Sequence, residues 1–377
     1  MSAATGRRVA LVHDWLNQMG GAERVLLELS RLYPGAPIYT SIYDPAAMDS
    51  EFLDKDIRTS LMQVMPAVFE QHRRYLPVYA ATFARWWIRD ADVIVSNASG
   101  FCRWVPTDLS TTHVCYCLTP PRYLWDTRRY LAAERDFPST LDPVVRLGLD
   151  GLRRLDRFMA DRTDHFIAIS QAVADRIRSC YGRGSTVIHP PVRVGDFAPA
   201  PPAEIGDHLL LVSRLAPYKR IDLAIRACNR LRLPLRIVGS GRAEADLKAI
   251  AGPTIQFAGR IGEQRLRHEL SRCRAVLFPG EEDFGLVPIE AQASGRPVLA
   301  FAGGGALETI TAGETGEFFE QPTTGALIAA LQEFDAGSYD PAVLVENAQG
   351  YSHRRFAKQF TQYIDEVADR APGRGPS

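Results

Sequence analysis

Short apolar runs alternate with longer amphipathic stretches along the whole chain. Val9–Val12, Ile38–Ile42, Asp92–Ser96, His113–Cys117 and His165–Ser170 read as buried strands, apolar on both faces. Between them, Ala22–Leu32, Pro143–Arg162 and Gln171–Cys180 repeat apolar residues at helical spacing. Val187–Val192 is a further strand, ending in prolines. After a proline-rich run from Pro199 to Pro202 the alternation restarts. Leu209–Val212, Leu235–Val238, Ile255–Ala258, Ala275–Phe278 and Pro297–Ala300 read as strands, and Ile221–Leu231 as a helix. Strand and helix in strict alternation predict α/β architecture with parallel sheets. A last helix over Ser352–Asp369 carries Phe356, Phe360 and Ile364 on one face.

At 377 residues the chain exceeds one ordinary core, and the proline run marks the break. The predicted layout is a first Rossmann-like domain over 1–196, a second over 197–350, and a returning helix with a tail over 351–377. A linker is expected between Val192 and Gly206. A formal net charge of zero argues against a general nucleic-acid binder. The six cysteines form no C-x-x-C pair, and Cys115 and Cys117 share one strand face, so buried reduced thiols are expected. No apolar signal core opens the chain, and no apolar run nears the roughly 18 residues of a membrane span. A cytoplasmic protein, touching membrane at most from its inner face, is expected.

Candidate chemistry concentrates in Pro279-Gly-Glu-Glu-Asp-Phe-Gly-Leu-Val-Pro-Ile-Glu290. An apolar strand precedes it, Gly285 lies in its loop, and Pro288 fits the first turn of a helix. Backbone N–H groups at such a helix start can face an anion. Glu282 and Glu290, with seven residues between them, suit sugar hydroxyls better than phosphate. Glu290 is expected in the first helical turn. Arg214 and Lys219 share one strand-end loop of the same half. Alone they would be a surface pair; beside two carboxylates they fit a diphosphate, and together the four fit a nucleotide sugar. In the first half, Gly20 and Gly21 either admit a ligand close to the backbone or simply turn the chain. Gly239-Ser-Gly241 is followed by Glu244, which argues against a dinucleotide fingerprint.

Ser213-Arg-Leu-Ala-Pro-Tyr-Lys-Arg-Ile-Asp222, Val238-Gly-Ser-Gly241, Phe257-Ala-Gly-Arg260 and Glu282-Asp-Phe-Gly-Leu-Val-Pro-Ile-Glu-Ala291 resemble the family 4 retaining glycosyltransferases of the GT-B fold. Leu11-Val-His-Asp-Trp-Leu-Asn-Gln-Met-Gly-Gly-Ala-Glu-Arg-Val25 and Tyr116-Cys-Leu-Thr-Pro-Pro-Arg-Tyr-Leu-Trp-Asp126 resemble the branch of bacterial O-antigen mannosyltransferases. The resemblance implies two doubly wound domains facing each other across a cleft. It implies a retaining hexosyltransferase acting on a glycan or lipid-linked oligosaccharide hydroxyl in surface polysaccharide synthesis, with mannose from GDP-mannose favoured by the branch and a UDP-hexose left open.

By position, the resemblance implies that Arg214 and Lys219 hold the donor diphosphate and that Glu282 holds the transferred sugar, these three being the catalytic set. Glu290 would hold the ribose, Phe284 and Gly285 would offer backbone N–H groups, and Arg260 would lie near the base. Gly20 and Gly21 would close on the phosphates, and Arg122, Tyr123 and Trp125 would meet the acceptor. Neither metal nor cofactor is implied, the nucleotide sugar being a co-substrate. Relatives often carry a histidine where this chain has Leu118, and His13 and His113 stand at other positions. Two alternatives share the pattern: a GT-B nucleotide-sugar epimerase, and a non-catalytic sugar-nucleotide-binding subunit of an assembly complex.

One stretch stands apart. Arg58, Arg73, Arg74, Arg85 and Arg89 are mixed with Tyr79, Phe83, Trp86 and Trp87 and a single acid, Glu70. The aromatic stripe reads first as core and second as a face for anionic lipid. The arginines of Pro143–Arg162 read as a solvated helix face.

Overall fold

The computed structural model describes residues 6–126 and 142–369, without the side chains of 73, 74 and 142–146. The chain divides into two units: residues up to His189 with those from Phe356 onward, and Pro190–Arg355.

The sheet of the first unit has the order β3-β2-β1-β4-β5-β6-β7. Its strands are β1 Val9–His13, β2 Ile38–Thr40, β3 Ile57–Thr59, β4 Val93–Ala98, β5 Thr112–Cys117, β6 His165–Ala168 and β7 Thr186–Val187. Every pairing is parallel, with Leu11 between Ile38 and Val95. Parallel strands need crossover helices, which bury both sheet faces. This unit's helices include α1 (Gly21–Leu32), α2 (Leu76–Arg85), α3 (Arg122–Trp125), α4 (Asp142–Ala160) and α5 (Gln171–Tyr181).

The second sheet has the order β10-β9-β8-β11-β12-β13, again parallel throughout. Its strands are β8 Leu209–Val212, β9 Leu235–Val238, β10 Ile255–Gly259, β11 Ala275–Phe278, β12 Val298–Phe301 and β13 Gly316–Phe319. Helix α6 (Ile221–Leu231) follows β8, and α7 (Leu286–Ala293) follows β11. The strand order reverses between β1 and β4, and again between β8 and β11. Loops at the carboxyl ends of those strands are where this architecture holds ligands.

The final helix, α8 (His353–Asp369), belongs to the first unit from Phe356 onward. Phe356 and Phe360 set their rings against Tyr116 at 5.8 and 5.7 Å, and Arg7 pairs with Asp365 at 2.9 Å. The boundaries fall at 189/190 and 355/356 rather than at 196/197 and 350/351. Backbone pairing explains the shift: Val192 N–H donates to Tyr351 O at 2.9 Å, and His353 N–H donates to Val192 O at 3.1 Å. The expected linker is also not loose. Asp196 pairs with Arg267 at 2.8 Å, Glu204 pairs with Arg272, and a Cβ on Gly295 would stand 2.9 Å from the Pro199 ring.

Candidate functional site

Because all strands of the second sheet run the same way, their outgoing loops share one edge. Ser213–Lys219 leaves β8, Arg260 follows β10, Gly280–Gly285 leaves β11 and Gly303–Gly305 leaves β12. β8 and β11 are neighbours, so the two loops that carry the candidate charges adjoin. They approach closely: a Cβ on Gly280 would stand 2.9 Å from Lys219 Cα.

Lys219 Nζ forms an ion pair with Glu282 Oε1, both side chains largely sheltered from solvent. Tyr218 stands between the two cations. Arg214 Nη2 donates to its hydroxyl at 2.9 Å, and Lys219 Nζ lies 5.2 Å from its ring centroid. Sequence reasoning passed over Tyr218, because an aromatic in a charged loop carries no spacing signal. It also passed over Gly303–Gly305, where the glycine run itself was the available clue. Glu282 bridges to Gly304, and Gly305 N–H donates to Glu282 O at 2.9 Å, which fixes the acidic loop.

Helix α7 begins at Leu286 behind Gly285, whose φ is 90°. A side chain there would be strained, and its Cβ would meet the Phe278 ring at 2.9 Å. Pro288 is the third helical residue and Glu290 falls in the second turn, not the first. The helix starts two residues before Pro288, which carries Glu290 into the interior at 5% exposure. The Phe284 ring is buried against Tyr351, with centroids 5.7 Å apart, so only its backbone can face a ligand. Arg260 is exposed at the end of β10, two strands from β8. Thus Arg214, Lys219, Glu282, Phe284 and Gly285 lie on two adjoining loops, with Glu290 in the helix that follows and Arg260 farther along the same edge.

In the first unit, the loop leaving β1 is bound to the end of β4 by Asp14. Its buried carboxylate accepts from Ser99 N–H at 2.7 Å, from Cys102 N–H at 2.9 Å and from the Tyr79 hydroxyl. Tyr79 and Phe83 are core, and Trp86 leans edge-on against Tyr39, whereas Trp87 is 55% exposed. Gly20 caps α1 in an extended conformation and Gly21 opens the helix. Glu23, in the first turn of α1, is buried with its carboxylate 3.6 Å from His13 Nε2. Burial alone would lower the His13 pKa, but Glu23, Asp14 and the Asn97 carbonyl outweigh it and raise it.

His13 ends β1 on the carboxyl edge, whereas His113 is the second residue of β5. His113 is wholly buried, 3.0 Å from Ser96 Oγ, and burial together with the Arg103 charge lowers its pKa to about 3. It is therefore a neutral core residue. Of the acceptor candidates, Trp125 spends its indole N–H on Asp156 at 2.8 Å, the Tyr123 ring stands edge-on to Phe101 at 5.7 Å, and Arg122 is half-buried. All six cysteines are buried thiols. Among the described residues no three His, Cys, Asp or Glu side chains cluster as a metal site, and no helix is long and apolar enough to cross a membrane.

Two family models match. "Glycosyltransferase Family 4" matches residues 19–195 and "Glycosyl transferases group 1" matches residues 200–350. The GDP-mannose-dependent monoacylated alpha-(1-6)-phosphatidylinositol monomannoside mannosyltransferase of Corynebacterium glutamicum is 33% identical over 193 residues, 43% of this chain and 51% of that one. The D-inositol 3-phosphate glycosyltransferase of Mycobacteroides abscessus is 27% identical over 357 residues, 86% of this chain and 75% of that one. The chain spans about half the length of several curated relatives it matches. Among solved structures, sucrose-phosphate synthase from Thermosynechococcus elongatus has a TM-score of 0.70 at 20% identity, covering 95% of this chain and 99% of that one. HepE from Anabaena in complex with UDP and glucose has a TM-score of 0.68 at 19% identity, covering 97% of this chain and 100% of that one.

Proposed function

Since the chain belongs to the family 4 glycosyltransferases and has their GT-B fold, we propose that it transfers a hexose from a nucleotide sugar to a hydroxyl of a glycan or lipid-linked oligosaccharide in surface polysaccharide synthesis. The observation that carries this reading is Lys219 paired with Glu282, beside Arg214 held by Tyr218, on the adjoining ends of β8 and β11. Two cations on one loop neutralise a departing diphosphate, and the carboxylate that anchors one of them accepts hydrogen bonds from the sugar. Glu290, inside α7, takes the ribose hydroxyls, and Arg260 contacts the base. Arg122 and Tyr123 are the acceptor contacts. Relatives named as GDP-mannose-dependent make mannose the favoured sugar.

The chemistry follows from charge development. As the bond from the anomeric carbon to the diphosphate oxygen breaks, negative charge grows on that oxygen, and Arg214 and Lys219 are placed to stabilise it. The acceptor hydroxyl attacks from the same face and passes its proton to the departing phosphate oxygen, which retains the anomeric configuration. The rate gain comes from positioning and fixed charge, so no divalent metal is required. The reaction takes place in the cytoplasm, at the inner face of the membrane when the acceptor is lipid-linked.

A thermal-shift series with GDP, UDP and ADP sugars tests the donor, since a specific ligand raises the melting temperature. Transfer to candidate acceptors, with the product anomer read by NMR and EDTA added in parallel, tests the rest. GDP-mannose should stabilise most, with retention and no effect of EDTA. No stabilisation by any nucleotide sugar, an inverted product, or loss of transfer on chelation with rescue by magnesium would each refute its part.

A further inference from the structure

Helix α4 has two faces with different surroundings. Its inner face buries Leu149, Asp156, Met159 and Ala160. The Asp156 carboxylate, wholly buried, pairs with Arg103 and accepts from Trp104 Nε1, Trp125 Nε1 and the Tyr181 hydroxyl at 2.9, 2.8 and 2.9 Å. One turn earlier, Arg153 donates through Nε and Nη2 to the Leu124 carbonyl at 2.9 and 2.7 Å. The helix is thereby fastened to the Arg122–Trp125 turn, α3.

The outer face carries large apolar residues among its charged ones. Leu147, Leu155 and Phe158 are 74%, 40% and 58% exposed, on one side of the helix by their spacing. Among the described residues, a Cβ at Gly148 or Gly151 would meet no atom within 4 Å. Arg154 and Arg157 are exposed along it and Arg162 just past its end, where the Arg162 guanidinium lies 5.7 Å from the Phe158 ring centroid. Asp150 is paired with Arg153 at 2.6 Å and Asp156 with Arg103, which among the described side chains leaves Asp161, just past the helix end, to oppose these cations.

We infer that this outer face of α4 docks on an anionic lipid bilayer. Leucine and phenylalanine between arginines suit a headgroup boundary: the apolar groups enter the acyl region while the guanidinium groups stay with lipid phosphates. The inner face holds α3, so docking sets the acceptor turn about one helix diameter, ~10 Å, from the headgroups. That last clause rests on the proposed function; the docking itself does not.

The test is flotation of the whole chain with vesicles of phosphatidylglycerol and phosphatidylcholine, and with phosphatidylcholine alone. Binding to the anionic vesicles that weakens with salt is expected. Arg154→Gln, Arg157→Gln and Arg162→Gln together should weaken it roughly a hundredfold, and Leu155→Ser with Phe158→Ser should abolish it. Changing Arg58, Arg85 and Arg89 to glutamine should leave most of it. Phe158→Trp gives a second readout that keeps the apolar surface: quenching by brominated lipid beyond that of the native tryptophans. The inference is overturned by absent flotation at low salt, by binding indifferent to the α4 variants, or by serine variants that dissolve a dimer on a sizing column without changing flotation. Nucleotide-sugar binding, measured without vesicles, keeps a failure here distinct from a failure of the transferase reading.

Discussion

Changing Tyr218 to Phe removes one oxygen and leaves the ring where it stands. What is lost is the hydrogen bond from Arg214 Nη2 at 2.9 Å; the Lys219 contact, 5.2 Å from the ring centroid, survives. A hydrogen bond to a charged group is worth roughly 1.5–3 kcal/mol when sheltered. Arg214 is exposed, so water replaces part of it, and about 1 kcal/mol is the expected effect, close to fivefold. The assay is calorimetric titration with a nucleoside diphosphate together with transfer kinetics, on Tyr218→Phe, Arg214→Ala and the double variant. If Tyr218 acts by orienting Arg214, the fivefold loss disappears once Arg214 is alanine, because there is nothing left to orient. An equal loss in both backgrounds would refute the reasoning and make Tyr218 a direct ligand contact or a prop for the loop.

Glu290→Ala should weaken nucleotide affinity by one to two decades, the worth of roughly 1.5–3 kcal/mol in a charge-assisted hydrogen bond; unchanged calorimetric affinity would remove Glu290 from the ribose site. Asp156→Asn strands the Arg103 guanidinium, 1% exposed, without its counter-charge, and should cost about 3–5 kcal/mol in a denaturant melt; a wild-type midpoint would show that the three neutral donors suffice. His113 is held neutral while its unfolded counterpart protonates near 6.5, so its contribution to stability is complete above that pH and declines as pH falls toward about 3. Denaturant midpoints near neutrality and near pH 4 should therefore differ less in a His113→Gln variant than in the parent, and equal acid sensitivity would contradict this.

The strands that carry the site were legible in sequence because parallel strands are buried on both faces and read as unbroken apolar runs: Leu209–Val212, Leu235–Val238 and Ala275–Phe278 stand where expected. β3 and β13 were not. Ile57–Thr59 lies at the sheet edge with Arg58 exposed, and Gly316–Phe319 is interrupted by Glu317, so neither shows that signature. At the site, charge and spacing pointed to Arg214, Lys219, Glu282 and Glu290. The Lys219–Glu282 pair could not be foreseen, since it depends on β8 and β11 being neighbours although most of the second sheet's sequence separates them. The Arg58–Arg89 stretch divided as its aromatics suggested, with Tyr79 and Phe83 inside, although Arg73 and Arg74 lie outside the described side chains. The surface judged merely solvated, α4, turns Leu147, Leu155 and Phe158 outward among its arginines.

The pairing of Val192 with Tyr351–His353 has a practical consequence. Residues 190–355 begin and end side by side, so this stretch is an insert whose two ends already meet. A closed insert needs nothing from the flanking chain to complete its sheet, and adjacent ends are the condition under which excision and circular permutation succeed. Arg214, Tyr218, Lys219, Arg260, Glu282 and Glu290 all fall within it. The segment is therefore expected to fold when cut out, or permuted through a short join near Val192, giving a small reagent in which nucleotide binding is tested apart from everything the acceptor requires.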